Sequence, residues 1–190
     1  MTPKDYAQLA LKCYTDTPTD GVEDSAARCV VYGDVEAFPG TNNLACWLAD
    51  LSAEAVHVNG FGRLHEGFWR SYKVISPLLA KNTPDVCVGH SEGAALAILR
   101  AAYLCLQGTP PKAVYAFEPP RVTCDSNLAK LFAAHGVQVN LYWHGNDVVP
   151  MVPRLLEDWQ HPAPMIRFGK ASEPWPNVAD HLMAGIIADL

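Results

Sequence analysis

Clustered positive charge is missing from this 190-residue sequence, which has 14 basic and 20 acidic side chains and a formal net charge of −6. No run of Lys or Arg occurs, whereas a protein that binds nucleic acid needs grouped cations to neutralise phosphates. The same shortage disfavours docking on anionic lipid by charge alone. We therefore expect no nucleic-acid partner.

Long apolar runs are also missing, since no segment approaches the ~18 apolar residues needed to span a bilayer. The first residues, MTPKDYAQLALKCY, lack a charged region followed by an apolar run. The six cysteines show neither CxxC nor Cys/His ligand spacing, so they predict no metal site. We expect a cytoplasmic protein with free thiols; secretion without a cleaved signal is the route that this reasoning leaves open.

Hydrophobic residues make up 49% of the chain and charged residues 18%, which is typical of a globular domain. No internal repeat and no shift of composition divides it, so we expect a single domain over residues 1–190. Strand-like runs are predicted at 28–32, 35–38, 53–58, 85–89, 113–117, 137–143 and 165–168. Helical spacing is predicted at 5–14, 68–79, 92–106, 126–135 and 179–189. This alternation predicts an α/β protein of three layers, with a mostly parallel central sheet and helices on both faces.

A sharp serine turn is predicted between a buried strand and a long helix. Gly89-His90-Ser91-Glu92-Gly93 matches G-x-S-x-G in the context where that pattern is informative. A serine in such a turn needs small residues two positions away on either side, and both are glycine. The hydroxyl then projects above the sheet, and the N–H of Glu92 faces a developing oxyanion. The alternative is a serine that only caps the helix.

A nucleophilic serine needs a histidine base, and the base needs an acid that orients it. The expected order along the chain is Ser, acid, His. Asp147 lies in a loop just after a predicted strand, and His181 lies at the start of the last predicted helix. We therefore predict a catalytic triad of Ser91, Asp147 and His181, with Asp180 as the competing acid by proximity.

The other histidines near these motifs receive structural assignments. His90 is expected to pack under the serine turn, and His144 to pack or bond near the acid loop. His161, between Gln160 and Pro162, is expected in a surface loop.

Further motifs occur along the chain in a fixed order. Together with the serine motif they cover about three quarters of the chain. Phe38-Pro-Gly-Thr41-Asn42 and Trp47-Leu-Ala-Asp50 are similar to F-R-G-[ST] and W-x-x-D, and LHEGFWRSY at 64–72 to V-H-x-G-F-x-x-S-Y. Phe117-Glu-Pro-Pro-Arg121-Val122 is similar to F-G-x-P-R-V, and 146–153 to the acid loop D-x-V-P-x-L-P. With the serine motif and Asp180-His181, the ordered set resembles the lipase class 3 family, the fungal-type triacylglycerol lipases and their feruloyl-esterase relatives.

The resemblance implies a compact three-layer α/β-hydrolase domain that carries the same triad. It also implies that Thr41 supplies an oxyanion donor through its backbone N–H, helped by its hydroxyl, with the Glu92 N–H as the second donor. Thr41 could at the same time cap the segment that begins at Asn42. The implied reaction, acyl transfer to water, needs no metal or organic cofactor.

An amphipathic helix is predicted at 42–51, where Leu44, Trp47, Leu48 and Leu51 follow helical spacing. The resemblance implies a short lid over the active site at this segment. Leu44, Trp47 and Leu48 would then line an acyl pocket or meet a lipid surface. An ordinary helix that faces the core explains the pattern equally.

Three departures from the family pattern bear on the substrate: Pro39 in place of Arg, Glu92 in place of an apolar residue, and a chain that is short for the family. We expect a serine-dependent, lipase-like hydrolase of lipid or other apolar acyl esters, with transient contact to a lipid interface. The sequence gives no oligomeric state. The alternatives are a non-lipid carboxylesterase, an acyltransferase with the same triad, a catalytically silent fold used for binding, and a peripheral membrane protein that acts through residues 42–51.

Overall fold

The computed structural model describes residues 1–21, 27–41, 43–50, 54–154 and 158–190. The α-helices in these ranges are α1 (Pro3–Lys12), α2 (Leu44–Asp50), α3 (Glu66–Ile75), α4 (Glu92–Leu106), α5 (Asn127–His135) and α6 (Met183–Asp189). The strands are β1 (Asp20–Gly21), β2 (Arg28–Tyr32), β3 (Val35–Phe38), β4 (Ala55–Val58), β5 (Gly62–His65), β6 (Val86–His90), β7 (Ala113–Phe117), β8 (Gln138–His144) and β9 (Met165–Phe168). None of the helices in the described ranges is long and apolar enough to cross a membrane.

Seven of these strands form a central sheet in the order β1-β2-β3-β6-β7-β8-β9. The five strands from β3 to β9 in that order run parallel, whereas β1, β2 and β3 pair antiparallel. The turn between β2 and β3 uses Gly33 at a φ of 63°, a conformation that tight hairpin turns require. The predicted mostly parallel sheet is confirmed.

Helices cover both faces of this sheet, as the alternation of patterns predicts. β6 directs Cys87 into the larger apolar cluster, where α3, α4 and α5 pack, and directs Val86 and Val88 into the smaller one. The smaller cluster contains α1 and α6, which also pack on each other. α4 is buried on nearly all sides because its sequence is apolar all round.

A buried ion pair joins the sheet to the larger helical layer. The Nε of Arg100 on α4 lies 2.8 Å from the Glu36 carboxylate on β3, and both side chains are almost completely buried. The Arg100 guanidinium also donates to the carbonyl oxygens of Leu79 and Asn82, at 2.9 and 2.8 Å. These bonds satisfy charges that would be costly to bury alone.

The helix predicted at 68–79 differs from the observed one, because α3 ends at Ile75 and a separate 3-10 helix covers Leu78–Lys81. Pro77 lies between them, and proline inside a helix lacks the N–H and clashes with the preceding turn. The helix predicted at 179–189 begins only at Met183. The strand predicted at 53–58 begins at Ala55, with residue 53 outside the described ranges, and it pairs with β5 outside the central sheet.

Candidate active site

Ser91 joins β6 to α4 in a backbone conformation that side chains rarely adopt, with φ 58° and ψ −128°. Its N–H donates to the carbonyl oxygen of Phe117, at the end of β7, at 3.0 Å. A Cβ on Gly89 would collide with the backbone of Gly93, and a Cβ on Gly93 would collide with the backbone of Phe38. Both positions therefore need glycine for the turn to fit between strand and helix.

The side chains of Asp147 and His181 are in contact and are both buried. Asp147 Oδ2 lies 2.6 Å from His181 Nδ1, and Asp147 Oδ1 accepts the Val149 N–H at 3.0 Å. The indole N–H of Trp143 donates to the Asp147 carbonyl oxygen at 3.0 Å and so fixes the loop after β8. Because a carboxylate faces Nδ1, that nitrogen carries the proton and Nε2 remains an acceptor. A general base needs this tautomer.

Asp180, the competing acid, is bonded to other groups. Its carboxylate accepts the backbone N–H groups of Asn146 at 2.8 Å and Ser172 at 3.0 Å, and the side-chain amide of Asn177 at 3.1 Å. Desolvation opposes its ionisation, but these hydrogen bonds lower the pKa of Asp180 to about 2. The acid that contacts the imidazole is therefore the one in the loop after β8.

His90, under the serine turn, connects the segment just after α1 to the turn that contains His181. His90 Nδ1 lies 2.7 Å from the Tyr14 hydroxyl, and its Nε2 lies 2.9 Å from the backbone oxygen of His181. Since a carbonyl only accepts, Nε2 is the donor and Nδ1 accepts the Tyr14 O–H. Burial, followed by the neighbouring His181, holds the pKa of His90 well below its ordinary value, so this ring is neutral. The sequence did not single out Tyr14.

Two further histidines lie near the acid loop. His144 places Nδ1 2.9 Å from the Asp180 carbonyl oxygen and Nε2 2.9 Å from the Asp189 carboxylate. The expectation of a surface position for His161 is wrong, because its ring is partly buried and its Nε2 lies 2.9 Å from the Pro150 oxygen. Burial lowers the pKa of His161 to about 4.

The loop that follows β3 lies against the serine turn. A Cβ on Gly40 would stand 2.9 Å from Ser91 Cβ and 2.8 Å from the His90 oxygen. Thr41 comes next, and its hydroxyl accepts the Asn43 N–H at 3.2 Å. The hydroxyl thus holds the turn into α2, while the backbone N–H of Thr41 belongs to the loop beside the serine.

Glu92, the first residue of α4, directs its carboxyl towards α3. Glu92 Oε1 accepts the Ser71 hydroxyl at 3.1 Å, and the side chain is 7% exposed. Burial raises the pKa of Glu92, and the bond from Ser71 opposes this rise only in part. The bond from Ser71 therefore holds the Glu92 carboxyl on the side of α4 that faces α3.

A cavity of about 270 Å³ adjoins His181. Its lining residues come from the end of α1, the loop after β3, α2, the serine turn and the turn into α6; they are Leu11, Tyr14, Thr41, Leu44, His90, His181, Leu182 and Met183. Ser91 itself is buried next to them, and its hydroxyl has no hydrogen-bond partner among the described residues.

The predicted helix at 42–51 is observed as α2, and residues 42 and 51 lie outside the described residues. Leu44 lines the cavity. Trp47 packs against the core instead, with its ring centroid 6.0 Å from that of Phe68. Leu48 is partly buried and does not belong to the described cavity lining.

One buried acid of the site was not singled out from the sequence. Glu118 follows β7 at a φ of 51° and is fully buried, and its carboxyl accepts the His144 N–H. The sequence contains one sign of it, because Glu118 occupies the glycine position of the F-G-x-P-R-V motif.

Comparison with known proteins identifies the family of this chain. The family described as Lipase (class 3) matches residues 35–157. The chain belongs to the class 3 lipase family. Two curated relatives, named secreted mono- and diacylglycerol lipase A, come from Penicillium cyclopium and Penicillium camembertii. Each is 38% identical over 144 residues, a match that covers 68% of this chain and 46% of the relative, so the chain spans about half their length.

Solved structures of fungal lipases share the fold of this chain. A mutant form of MDLA from Penicillium cyclopium is 25% identical, with a TM-score of 0.63 over 94% of this chain and 81% of that chain. The lipase from Rhizopus microsporus var. chinensis is 18% identical, with a TM-score of 0.72 over 95% of this chain and 84% of that one. The Rhizomucor miehei triacylglyceride lipase has the same identity and TM-score, over 95% and 91%. The predicted α/β-hydrolase fold is confirmed.

The prediction of a cytoplasmic location is wrong for this chain. Both curated relatives are named as secreted proteins, which contradicts a location inferred from the first residues and from cysteine spacing. The six cysteines are free thiols in the structure, and five of them are buried. Free thiols therefore do not identify the compartment of this protein.

Proposed function

We propose that this chain is a serine-dependent hydrolase of carboxylic esters with lipid or other apolar acyl groups. In this proposal Ser91 is the nucleophile, His181 the general base and Asp147 the acid that orients it. The 2.6 Å contact between Asp147 and His181 Nδ1, next to a serine in a strained turn, carries the proposal. This combination is what nucleophilic catalysis by serine requires.

The reaction begins when Ser91 Oγ attacks the ester carbonyl and its proton passes to His181 Nε2. The imidazolium is stabilised by the Asp147 side chain. Backbone N–H groups of Thr41 and Glu92 donate to the oxyanion, Glu92 from the first turn of α4, where N–H groups have no intrahelical partner. His181 then protonates the leaving alcohol, and water releases the acyl group from Ser91 by the same steps. Catalytic hydrogen bonds often tighten only when substrate binds, which fits the unbonded Ser91 hydroxyl.

The cavity supports a modest acyl group as substrate. At about 270 Å³ it is slightly smaller than the ~300–1,000 Å³ usual for small-molecule sites, and leucine and methionine side chains supply much of its lining. The curated relatives are named for mono- and diacylglycerols, and we propose partial glycerides as the natural substrate class here as well. Short to medium acyl chains are expected to react fastest.

We also propose that the cavity mouth makes transient contact with lipid. Leu11 is 44% exposed and Leu182 is 63% exposed, although both line the cavity. Exposed apolar side chains around a binding site are typical of an interaction surface. Leu44 places α2 at the same cavity, which supports a covering role for that helix.

The test is hydrolysis of p-nitrophenyl esters from acetate to palmitate, with and without emulsified lipid, by the wild type, Ser91→Ala and Ser126→Ala. Ser126 is an exposed residue before α5 with no side-chain capping bond, so it controls for the loss of a serine elsewhere. We expect only Ser91→Ala to lose hydrolysis and labelling by a fluorophosphonate. A folded wild type that neither hydrolyses any ester nor reacts with the fluorophosphonate would reject the proposal and favour a silent binding fold.

A further inference from the structure

A second buried carboxyl group, that of Glu118, lies beside the proposed triad acid. Its backbone φ of 51° is in the left-handed region, where glycine is favoured and other residues are strained. A strained residue that is also a fully buried acid points to a role in the site rather than in packing.

The acids of this region differ in the number of hydrogen-bond donors that they receive. Asp180 receives three donor groups, from Asn146, Ser172 and Asn177. This set of donors suits a carboxylate that keeps its charge.

Asp147 receives two donors, the Val149 N–H and His181 Nδ1–H. Glu118 receives one, the backbone N–H of His144. As a carboxylate, Glu118 would leave its buried Oε2 without any donor among the described residues. Of the three acids, Glu118 is therefore the one whose negative charge is least compensated.

Glu118 and Asp147 meet at the backbone of His144, whose N–H donates to the Glu118 carboxyl and whose carbonyl oxygen accepts the Asp147 N–H at 3.2 Å. Two buried carboxylates that interact so directly cannot both be ionised cheaply, so one of them holds a proton. Burial first, and then the charge and contact of Asp147, raise the pKa of Glu118 well above its ordinary value. With the proton on Oε2, the orphan oxygen becomes a donor and Asp147 is its acceptor.

We propose that Glu118 is a positioning residue, a neutral carboxylic acid that donates a hydrogen bond to Asp147 and moderates the pull of Asp147 on the His181 proton. The inference rests on the proposed function, because it assigns Asp147 to the triad. A third donor spreads the Asp147 charge, so that the imidazolium of His181 is stabilised less. His181 then becomes a free base at a lower pH than it would with Asp147 bonded to two donors.

Other titratable groups also face this cluster and stay the same in every Glu118 variant. The Asp180 carboxylate lies next to His181 in the chain, and the neutral His90 ring packs 4.5 Å from the His181 ring. His144 contributes its backbone N–H to Glu118 and its ring to Asp189. A difference in pH dependence between the Glu118 variants therefore reports the effect of the proton on the Glu118 carboxyl.

Two substitutions separate a neutral donor from an apolar filler. Glu118→Gln keeps a neutral donor of similar size, whereas Glu118→Met fills the space without a donor. We expect the acid limb of the kcat/KM–pH profile to keep its wild-type position in Glu118→Gln. In Glu118→Met it should move to higher pH by about one unit, which is about a tenfold loss on the acid side. Coincident profiles for wild type and Glu118→Met, or a shifted Glu118→Gln profile, would overturn the inference.

A second measurement reads the proton directly and does not depend on catalysis. The infrared difference spectrum of wild type minus Glu118→Gln at neutral pH should contain the C=O stretch of a protonated carboxylic acid. In Asp147→Asn the same band should disappear at lower pH than in the wild type, because the charge that opposes ionisation is gone. Absence of the neutral-pH band overturns the inference even if Ser91 is active. A band with no fluorophosphonate labelling of the wild type would reject the proposed function and leave the shared proton established.

Discussion

The strained backbone at Ser91 is a source of instability, and removal of the strain should stabilise the fold. The residue has φ 58° and ψ −128°, a combination in which a side chain costs about 1–3 kcal/mol. Ser91→Ala keeps Cβ and hence the strain, whereas Ser91→Gly removes both. Glycine costs about 0.5–1 kcal/mol in chain entropy, so we expect Ser91→Gly to be about 1 kcal/mol more stable than Ser91→Ala. Ser91 makes no side-chain capping bond to α4 that this comparison would lose.

The assay is thermal or urea unfolding of both variants beside a matched control. Gly33→Ala adds a Cβ at a φ of 63° where no atom lies within 4 Å, so it measures conformational cost without a clash. We expect it to lose about 1–2 kcal/mol. For a chain of this size 1 kcal/mol corresponds to about 2–4 °C in Tm. If Ser91→Gly melts no higher than Ser91→Ala while Gly33→Ala is destabilised, the serine turn is not strained and the reasoning fails.

Three further predictions concern pH, the core and the cavity mouth. The folded pKa of Asp180, about 2, lies below its ordinary 3.8, so this carboxylate stabilises the fold above about pH 4, and the stabilisation is lost as the pH falls towards 2. Asp180→Asn should lower the free energy of unfolding by about 2 kcal/mol at neutral pH and should flatten its dependence on pH in the acid range, measured by urea unfolding. An unchanged slope of the free energy against pH would contradict this. Glu36→Gln should lower the free energy of unfolding in urea by about 3–5 kcal/mol, because it leaves the buried Arg100 guanidinium without its counter-charge. Adding Arg100→Met should restore much of that stability. A loss below about 1 kcal/mol in Glu36→Gln would mean that the pair is solvated. Leu182→Ser should lower hydrolysis of emulsified esters about tenfold, while Val74→Ser, at a site 66% exposed, should not; equal losses would rule out a special role for the mouth.

Local apolar patterns predicted much of the fold correctly. β2, β3, β7, β9 and α4 have the predicted bounds, because each is a mainly apolar segment flanked by glycine, proline or polar residues on at least one side. β5 was not predicted, since Gly62-Arg-Leu-His65 is too short and polar to stand out and its stability comes from pairing with β4.

Contacts between distant segments explain what the sequence did not reveal about the site. The apolar spacing at 179–189 suggests a helix from its first residue, yet Asp180 accepts N–H groups from Asn146 and Ser172 and holds a turn instead. The spacing of motifs led to Ser91, Asp147 and His181, and the structure brings the last two into contact, while their catalytic roles stay predictions. Glu118 was not predicted, because its place at the glycine position of the F-G-x-P-R-V motif does not reveal whether the acid is buried or solvated.

The hydrogen bonds of His90 have a consequence for the order of folding. Its bond to Tyr14 joins residues 76 apart in the chain, and its bond to the His181 oxygen joins residues 91 apart. Contacts of such high sequence separation form slowly, because the closure entropy of long loops must be met first. α4, in contrast, is a local structure, and we expect it to form early. During refolding the far-ultraviolet circular dichroism signal of the helices should therefore return before Ser91 regains its reactivity. The rate at which fluorophosphonate labelling returns then reports when the native topology is complete.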